Sequence, residues 1–148
     1  AKYGKVAYDS LEEGFSLTMK NALVKAGMQD VARRFVLLCE GMEELDARLN
    51  RRKSPDIVVI DSFQYTQMSF KDYQDFKERH RDNLLIFISQ ADGNKPAGRT
   101  AVSVMYDATL KIWVEGYRAI SKGRYFGNKG YYTIWEERAK AYWGEDSI

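Results

Sequence analysis

The chain has 148 residues, 45% of them apolar and 30% charged, and its 23 basic and 21 acidic side chains leave a net charge of +2. This fits one globular domain with a core of its own and excludes intrinsic disorder; no apolar run approaches a membrane-spanning length, and the charge balance is too even to indicate nucleic acid by itself. One cysteine and one histidine exclude a disulfide framework and a Cys/His zinc site, so a cytoplasmic protein with no membrane segment is expected.

In chain order, Lys5-Val6-Ala7-Tyr8 reads as a weak strand. Phe15, Met19, Leu23 and Ala26 then share one helical face, and Gly27 offers a left-handed cap. Phe35-Val36-Leu37-Leu38-Cys39 is a short apolar run with Cys39 expected in the core. Met42, Leu45 and Leu49 predict a second helix, closed by Arg51-Arg52. Pro55 precedes the run Ile57-Val58-Val59-Ile60. Phe70, Tyr73 and Phe76 mark a third helix, at whose start Ser69 and Asp72 resemble a capping box; His80 is expected to be a solvated helix residue. Leu84-Leu85-Ile86-Phe87-Ile88 is the last unbroken run. Runs of this kind belong to strands buried on both faces, hence to a parallel sheet, and their alternation with helices predicts an α/β sandwich.

Beyond residue 106 the period changes. Leu110 to Val114 alternates, Glu115-Gly116 offers a turn, and Tyr117 to Ser121 alternates again, which predicts a hairpin. Tyr131 to Trp135 reads as one more strand after Gly127-Asn128-Lys129-Gly130, so a mixed sheet is expected, parallel first and antiparallel last. The aromatics Tyr131, Tyr132, Trp135, Tyr142 and Trp143 are assigned to core packing or a subunit contact.

Ligands of open α/β sheets bind beyond the carboxyl ends of the strands. Polar residues stand at four such ends: Ser10-Leu11-Glu12-Glu13, Asp61-Ser62, Ser89-Gln90 and Lys122-Gly123-Arg124. Four apolar residues followed by Asp61 is the layout of a strand whose terminal carboxylate holds Mg²⁺ through water. Glu12 and Glu13 supply carboxylates able to orient or deprotonate an attacking water. Lys95 and Arg99 sit in a Gly-, Asn- and Pro-containing loop that suits contact with a phosphate backbone. Gly93 to Thr100 also differs from a phosphate-binding loop only by Arg99 in place of lysine, but the acidic strand that should follow such a loop reads instead as the hairpin.

Together these residues resemble the RecA-like ATPases, in particular the branch of replicative helicases, Sms/RadA repair proteins and KaiC. Tyr8-Asp9-Ser10-Leu11-Glu12 fits that branch's pattern of aromatic, x, Ser, x, Glu. The resemblance implies Glu12 as catalytic base with Glu13 as the second of a doubled pair, Asp61 and Ser62 at the nucleotide and its Mg²⁺, and Gln90 as sensor of the terminal phosphate. It implies a DNA-binding loop over residues 91–106, Asp107 ahead of the hairpin, and Lys122 with Arg124 as a basic finger reaching the ATP of a neighbouring subunit, although Gly127 comes one residue later than in the family pattern. The fold implied is a three-layer RecA-like sandwich with a mostly parallel central sheet and a C-terminal antiparallel hairpin. Residues 1–148 would be one such domain, with the P-loop strand and helix expected before Val6. The intact protein would couple ATP hydrolysis to action on DNA, single-stranded DNA being favoured, as a homo-oligomeric ring or filament in recombination, repair or helicase work, and this chain alone would be inactive. The alternative is a P-loop-less, non-hydrolytic DNA-binding or assembly module.

Overall fold

The computed structural model describes residues 1–123 and 130–144. The chain divides into two compact units, Ala1–Val104 and Met105–Ile148.

The first unit is a mixed α/β fold. Its elements are β1 (Val6–Ser10), α1 (Leu17–Lys25), β2 (Phe35–Leu38), α2 (Met42–Leu49), β3 (Ile57–Asp61), α3 (Phe70–Arg79), β4 (Leu84–Ile88), a two-stranded hairpin of β5 (Ala91–Asp92) and β6 (Lys95–Pro96), and α4 (Arg99–Asp107). Strands β1 to β4 form an all-parallel sheet in the order β2-β1-β3-β4. The register places Ala7, Val58 and Leu85 in one row and Asp9, Leu38, Ile60 and Phe87 in the next. This face packs with Leu45 and Leu49 of α2 and Phe76 of α3 into the main core. A second cluster joins Phe63, Tyr73, Ala101 and Val104, with Phe87 shared between the two.

Several elements follow directly from local chemistry. Ser69 Oγ accepts from Asp72 N while Asp72 Oδ2 accepts from Ser69 N, so the expected capping box is present at the start of α3. Gly27 takes the left-handed conformation at φ 68°, as a residue without Cβ readily does.

Other expectations are corrected. The opposite face of the sheet is not closed among the described residues: Leu84, Ile86 and Ile88 of β4 are exposed, so the unbroken apolar run does not mean burial on both faces here. Helix α1 begins after Phe15, with Ser16 as its N-cap, and buries Met19 alone. Arg51 and Arg52 lie beyond the end of α2. Cys39 is exposed, because it lies one residue past β2 rather than within it. His80 is buried at 4% exposure; its ring packs at a tilt against Phe76 with centroids 4.7 Å apart, and its Nε2 lies 2.7 Å from Asp46 Oδ1.

The second unit holds an antiparallel sheet of β7 (Ile112–Glu115), β8 (Arg118–Ser121) and β9 (Tyr131–Thr133), followed by α5 (Glu136–Trp143). It is a separate sheet, not a continuation of the parallel one. The hairpin turn falls one residue later than the sequence suggests, at Gly116-Tyr117, with φ of 52° and 61°. Two consecutive positive φ values make this the type I′ turn whose twist matches that of paired strands. A Cβ on Gly116 would lie 2.3 Å from the Tyr142 ring, so packing as well as φ demands glycine. Among the described residues no helix is long and apolar enough to cross a membrane.

Candidate active site

The site is built by three neighbouring strands that end side by side. Because β1, β3 and β4 are parallel and in register from Val6, Ile57 and Leu84, their carboxyl tips bring residues 10 to 12, 61 and 62, and 88 to 90 to one edge. The turn after β1 is fixed by Gly14 N donating to Ser10 O at 3.0 Å, with Gly14 at φ 57°. Its amides reach across: Leu11 N and Glu12 N donate to the Asp61 carbonyl at 2.7 and 3.2 Å. The backbone of Glu12 is thereby tied to the tip of β3, and neither residue depends on a loose loop for its position.

The side chains then converge. Ser62 Oγ donates to Glu12 Oε2 at 3.0 Å, and Gln90 Nε2 lies 3.2 Å from each Glu12 oxygen. The Tyr8 hydroxyl donates to Asp61 Oδ2. Burial, reinforced by that bond and by the Asp61 charge, holds the Tyr8 phenol protonated well above the usual range. Ser62 is 1% exposed and Asp61 half-buried, whereas Glu12 and Gln90 are open to solvent. The edge therefore offers an accessible carboxylate, an amide donor beside it, and a second carboxylate anchored behind. Asp61 and Glu12 are the carboxylates at this edge that could meet a divalent cation, one or two carboxylates sufficing where phosphate oxygens and water complete the shell. Among the described residues there is no group of three or more His, Cys, Asp or Glu able to hold a metal unaided.

Asp9, one residue before this edge, points to the other face. It is fully buried; its Oδ1 accepts from Glu40 N at 2.9 Å, and Oδ2 has no hydrogen-bond partner among the described residues. Burial pushes its carboxyl up to about 6, against the pull of the Glu40 amide. Glu40 is itself held by Arg48, whose Nε donates to Oε2 at 2.8 Å, and this bond keeps Glu40 below the usual carboxylate range.

The remaining sequence candidates lie elsewhere. Glu13 turns from Glu12 toward the start of α1, where Ser16 Oγ donates to it at 3.3 Å. Lys95 is exposed on β6, and Arg99 is exposed at the first position of α4. Gly93 to Thr100 spans the turn and second strand of the β5–β6 hairpin and the start of α4 rather than one continuous loop. Lys122 follows β8 in the second unit, with Nζ 4.8 Å from the centroid of the Trp113 ring; Arg124 lies outside the described residues. Two contributors were missed from sequence, Tyr8 as the partner of Asp61 and Gln64. Tyr8 was legible, since an aromatic hydroxyl two residues before Ser10 shares a sheet face with the tip of the adjacent strand. Gln64 gave no signal beyond its place just past the acidic strand.

No family model matches this chain, and no curated protein matches it.

Proposed function

We propose that the Glu12–Asp61–Gln90 edge is the hydrolytic site of a RecA-like ATPase that couples ATP hydrolysis to action on DNA. The observation that carries this reading is the convergence of residues 78 positions apart: an accessible Glu12 carboxylate contacted by Gln90, beside a strand-terminal Asp61. Phosphoryl transfer asks little covalent chemistry of the protein; it needs an oriented water, a neutralised phosphate and exact placement. In this reading Glu12 orients and deprotonates the water, with Glu13 as a nearby second acid. Asp61 and Ser62 would hold Mg²⁺ through water, which would supply charge neutralisation at the terminal phosphates. Gln90 exchanges its bond to Glu12 for one to the terminal phosphate. Lys122 and Arg124 belong to a finger that stabilises transition-state charge in a neighbouring subunit of a ring or filament. Lys95 and Arg99 contact the DNA backbone.

The open sheet face supports the same reading. All-parallel sheets are covered on both faces, and the exposed Leu84, Ile86 and Ile88 lie on edge strand β4, where a P-loop strand and its helix would complete a three-layer sandwich.

Equilibrium binding of a fluorescent ATP analogue to the full-length protein, with and without Mg²⁺, tests the proposal. Asp61→Asn should remove the Mg²⁺-dependent part of the affinity; identical binding by both proteins at every Mg²⁺ concentration would contradict it. A second reading, a non-hydrolytic DNA-binding or assembly module, is favoured by one observation: both Glu12 oxygens are already engaged within the chain by Ser62 and Gln90. Oligonucleotide binding by the full-length protein without any nucleotide turnover would select it.

A further inference from the structure

Beside the proposed site, one side chain joins three segments. Gln64 lies in a short 3-10 turn, Phe63–Thr66, three residues past Asp61, and is half-buried. Its Nε2 donates to Ser89 Oγ and to the Ala97 carbonyl, both at 2.8 Å, and its Oε1 accepts from Gln90 N at 3.1 Å. The orientation of the amide follows from its partners, since a backbone carbonyl can only accept and a backbone N–H can only donate. Both Nε2 hydrogens and one acceptor site are thus committed to the end of β4 and the far end of the β5–β6 hairpin.

The backbone closes the same ring. Ala97 N donates to Gln90 O at 2.8 Å, and Ser89 Oγ donates to that carbonyl at 3.0 Å. Gln90 is therefore gripped through both its backbone N–H and C=O, while its side chain alone reaches outward to Glu12. The hairpin has little else to fix it: β5 and β6 pair over only two residues each, and Ala91 to Lys95 are exposed. A displacement of Gln90 reaches Ala97 through this ring, directly by the Ala97 N–Gln90 O bond and also by way of Gln64, whose amide keeps all three partners only if they move together.

We infer that Gln64 is a positioning residue that couples the Glu12–Gln90 pair to the Ala91–Ala97 hairpin. Its meaning as a link between nucleotide state and DNA contact rests on the function proposed above, whereas the coupling itself is a property of the hydrogen-bonded ring. In that function, loss of the Gln90 bond to Glu12 would alter the presentation of Lys95.

Hydrogen–deuterium exchange of residues 91–98 in the full-length protein tests the coupling without any nucleotide. Gln90→Ala should raise exchange in this segment severalfold in the wild-type background. Gln64→Leu, which deletes all three bonds, should raise it about tenfold or more, and Gln90→Ala should then add nothing. If Gln64→Leu fails to fold, Gln64→Glu serves: it keeps the acceptor for Gln90 N but sets an oxygen against the Ala97 carbonyl, and the same non-additivity is expected. Unchanged exchange in the Gln64 variant, or an equal effect of Gln90→Ala in both backgrounds, would overturn the inference; a residue of merely structural importance would give additive effects. Hydrolysis measured with and without oligo-dT separates this from the function. A wild-type protein that neither binds nor hydrolyses ATP would refute the ATPase reading, while the exchange result would still decide the role of Gln64.

Discussion

Asp46 on α2 and His80 at the end of α3 face each other at 2.7 Å, and Arg79 Nε donates to the same Asp46 oxygen at 2.9 Å. Burial of Asp46 opposes its ionisation, but hydrogen bonds from His80 and Arg79 outweigh this and leave its carboxyl below the usual range. The contact clamps together the two helices that pack on one face of the sheet. His80→Ala should therefore cost about 2 kcal/mol in urea unfolding, from lost packing on Phe76 and a stranded carboxylate. A loss below about 0.5 kcal/mol, the range of a neutral surface change, would contradict the clamp. Since Asp46 is depressed in the fold, its contribution is present above its unfolded value and fades as pH falls through the folded one.

Asp9 carries the opposite sign. Its folded carboxyl titrates near 6 against an ordinary 3.8, so the fold binds a proton that the unfolded chain releases. Stability from this group is complete below about 3.8 and is lost as pH rises through 6. Asp9→Asn should raise stability at pH 7 by on the order of 2 kcal/mol and leave it nearly unchanged at pH 4. Chemical denaturation at the two values checks this; equal effects at both would show that Asp9 is ionised in the fold throughout.

In the second unit, Gly116→Ala should destabilise the hairpin by about 1 to 3 kcal/mol, since φ is 52° and the new methyl would meet the Tyr142 ring at 2.3 Å. Loss of near-ultraviolet circular dichroism from Trp113, Tyr142 and Trp143 would report it. An unchanged spectrum and melting temperature would mean that the turn adapts freely.

The strands, α3 with its capping box, and the hairpin were legible because each is written in local periodicity or in one turn of chemistry. The gathering of Glu12, Asp61 and Gln90 was legible too, since parallel strands in register must end together. Burial was less so. His80 looked solvated because a charged stretch surrounds it, yet its ring turns inward to Phe76 and Asp46, a contact 34 residues distant in sequence. Cys39 looked buried because it closes an apolar run, yet β2 ends at Leu38. The apolar run of β4 states what that strand would prefer to cover, and the described residues leave half of it open. Gln64 was illegible because its three bonds depend on where the chain returns 25 to 33 residues later.

Gln90→Ala should shift the balance between binding and turnover in the full-length protein. Without the amide, Glu12 loses one of its two side-chain partners, and in the function proposed above the group that would sense the terminal phosphate is removed. The expected outcome is ATP affinity within about threefold of wild type and turnover reduced by about 10²-fold or more. An equal loss in kcat/KM and affinity, with kcat preserved, would assign Gln90 to ground-state binding alone.

The most direct test is steady-state ATP hydrolysis by the full-length protein and its Glu12→Gln variant, with nucleotide binding measured in parallel. Removing a positioned general base costs about 10² to 10⁴ in rate, and Gln retains the size of Glu and its capacity to bond Ser62. The account predicts turnover at least about a hundredfold below wild type with ATP binding intact. Hydrolysis at the wild-type rate by Glu12→Gln would contradict it.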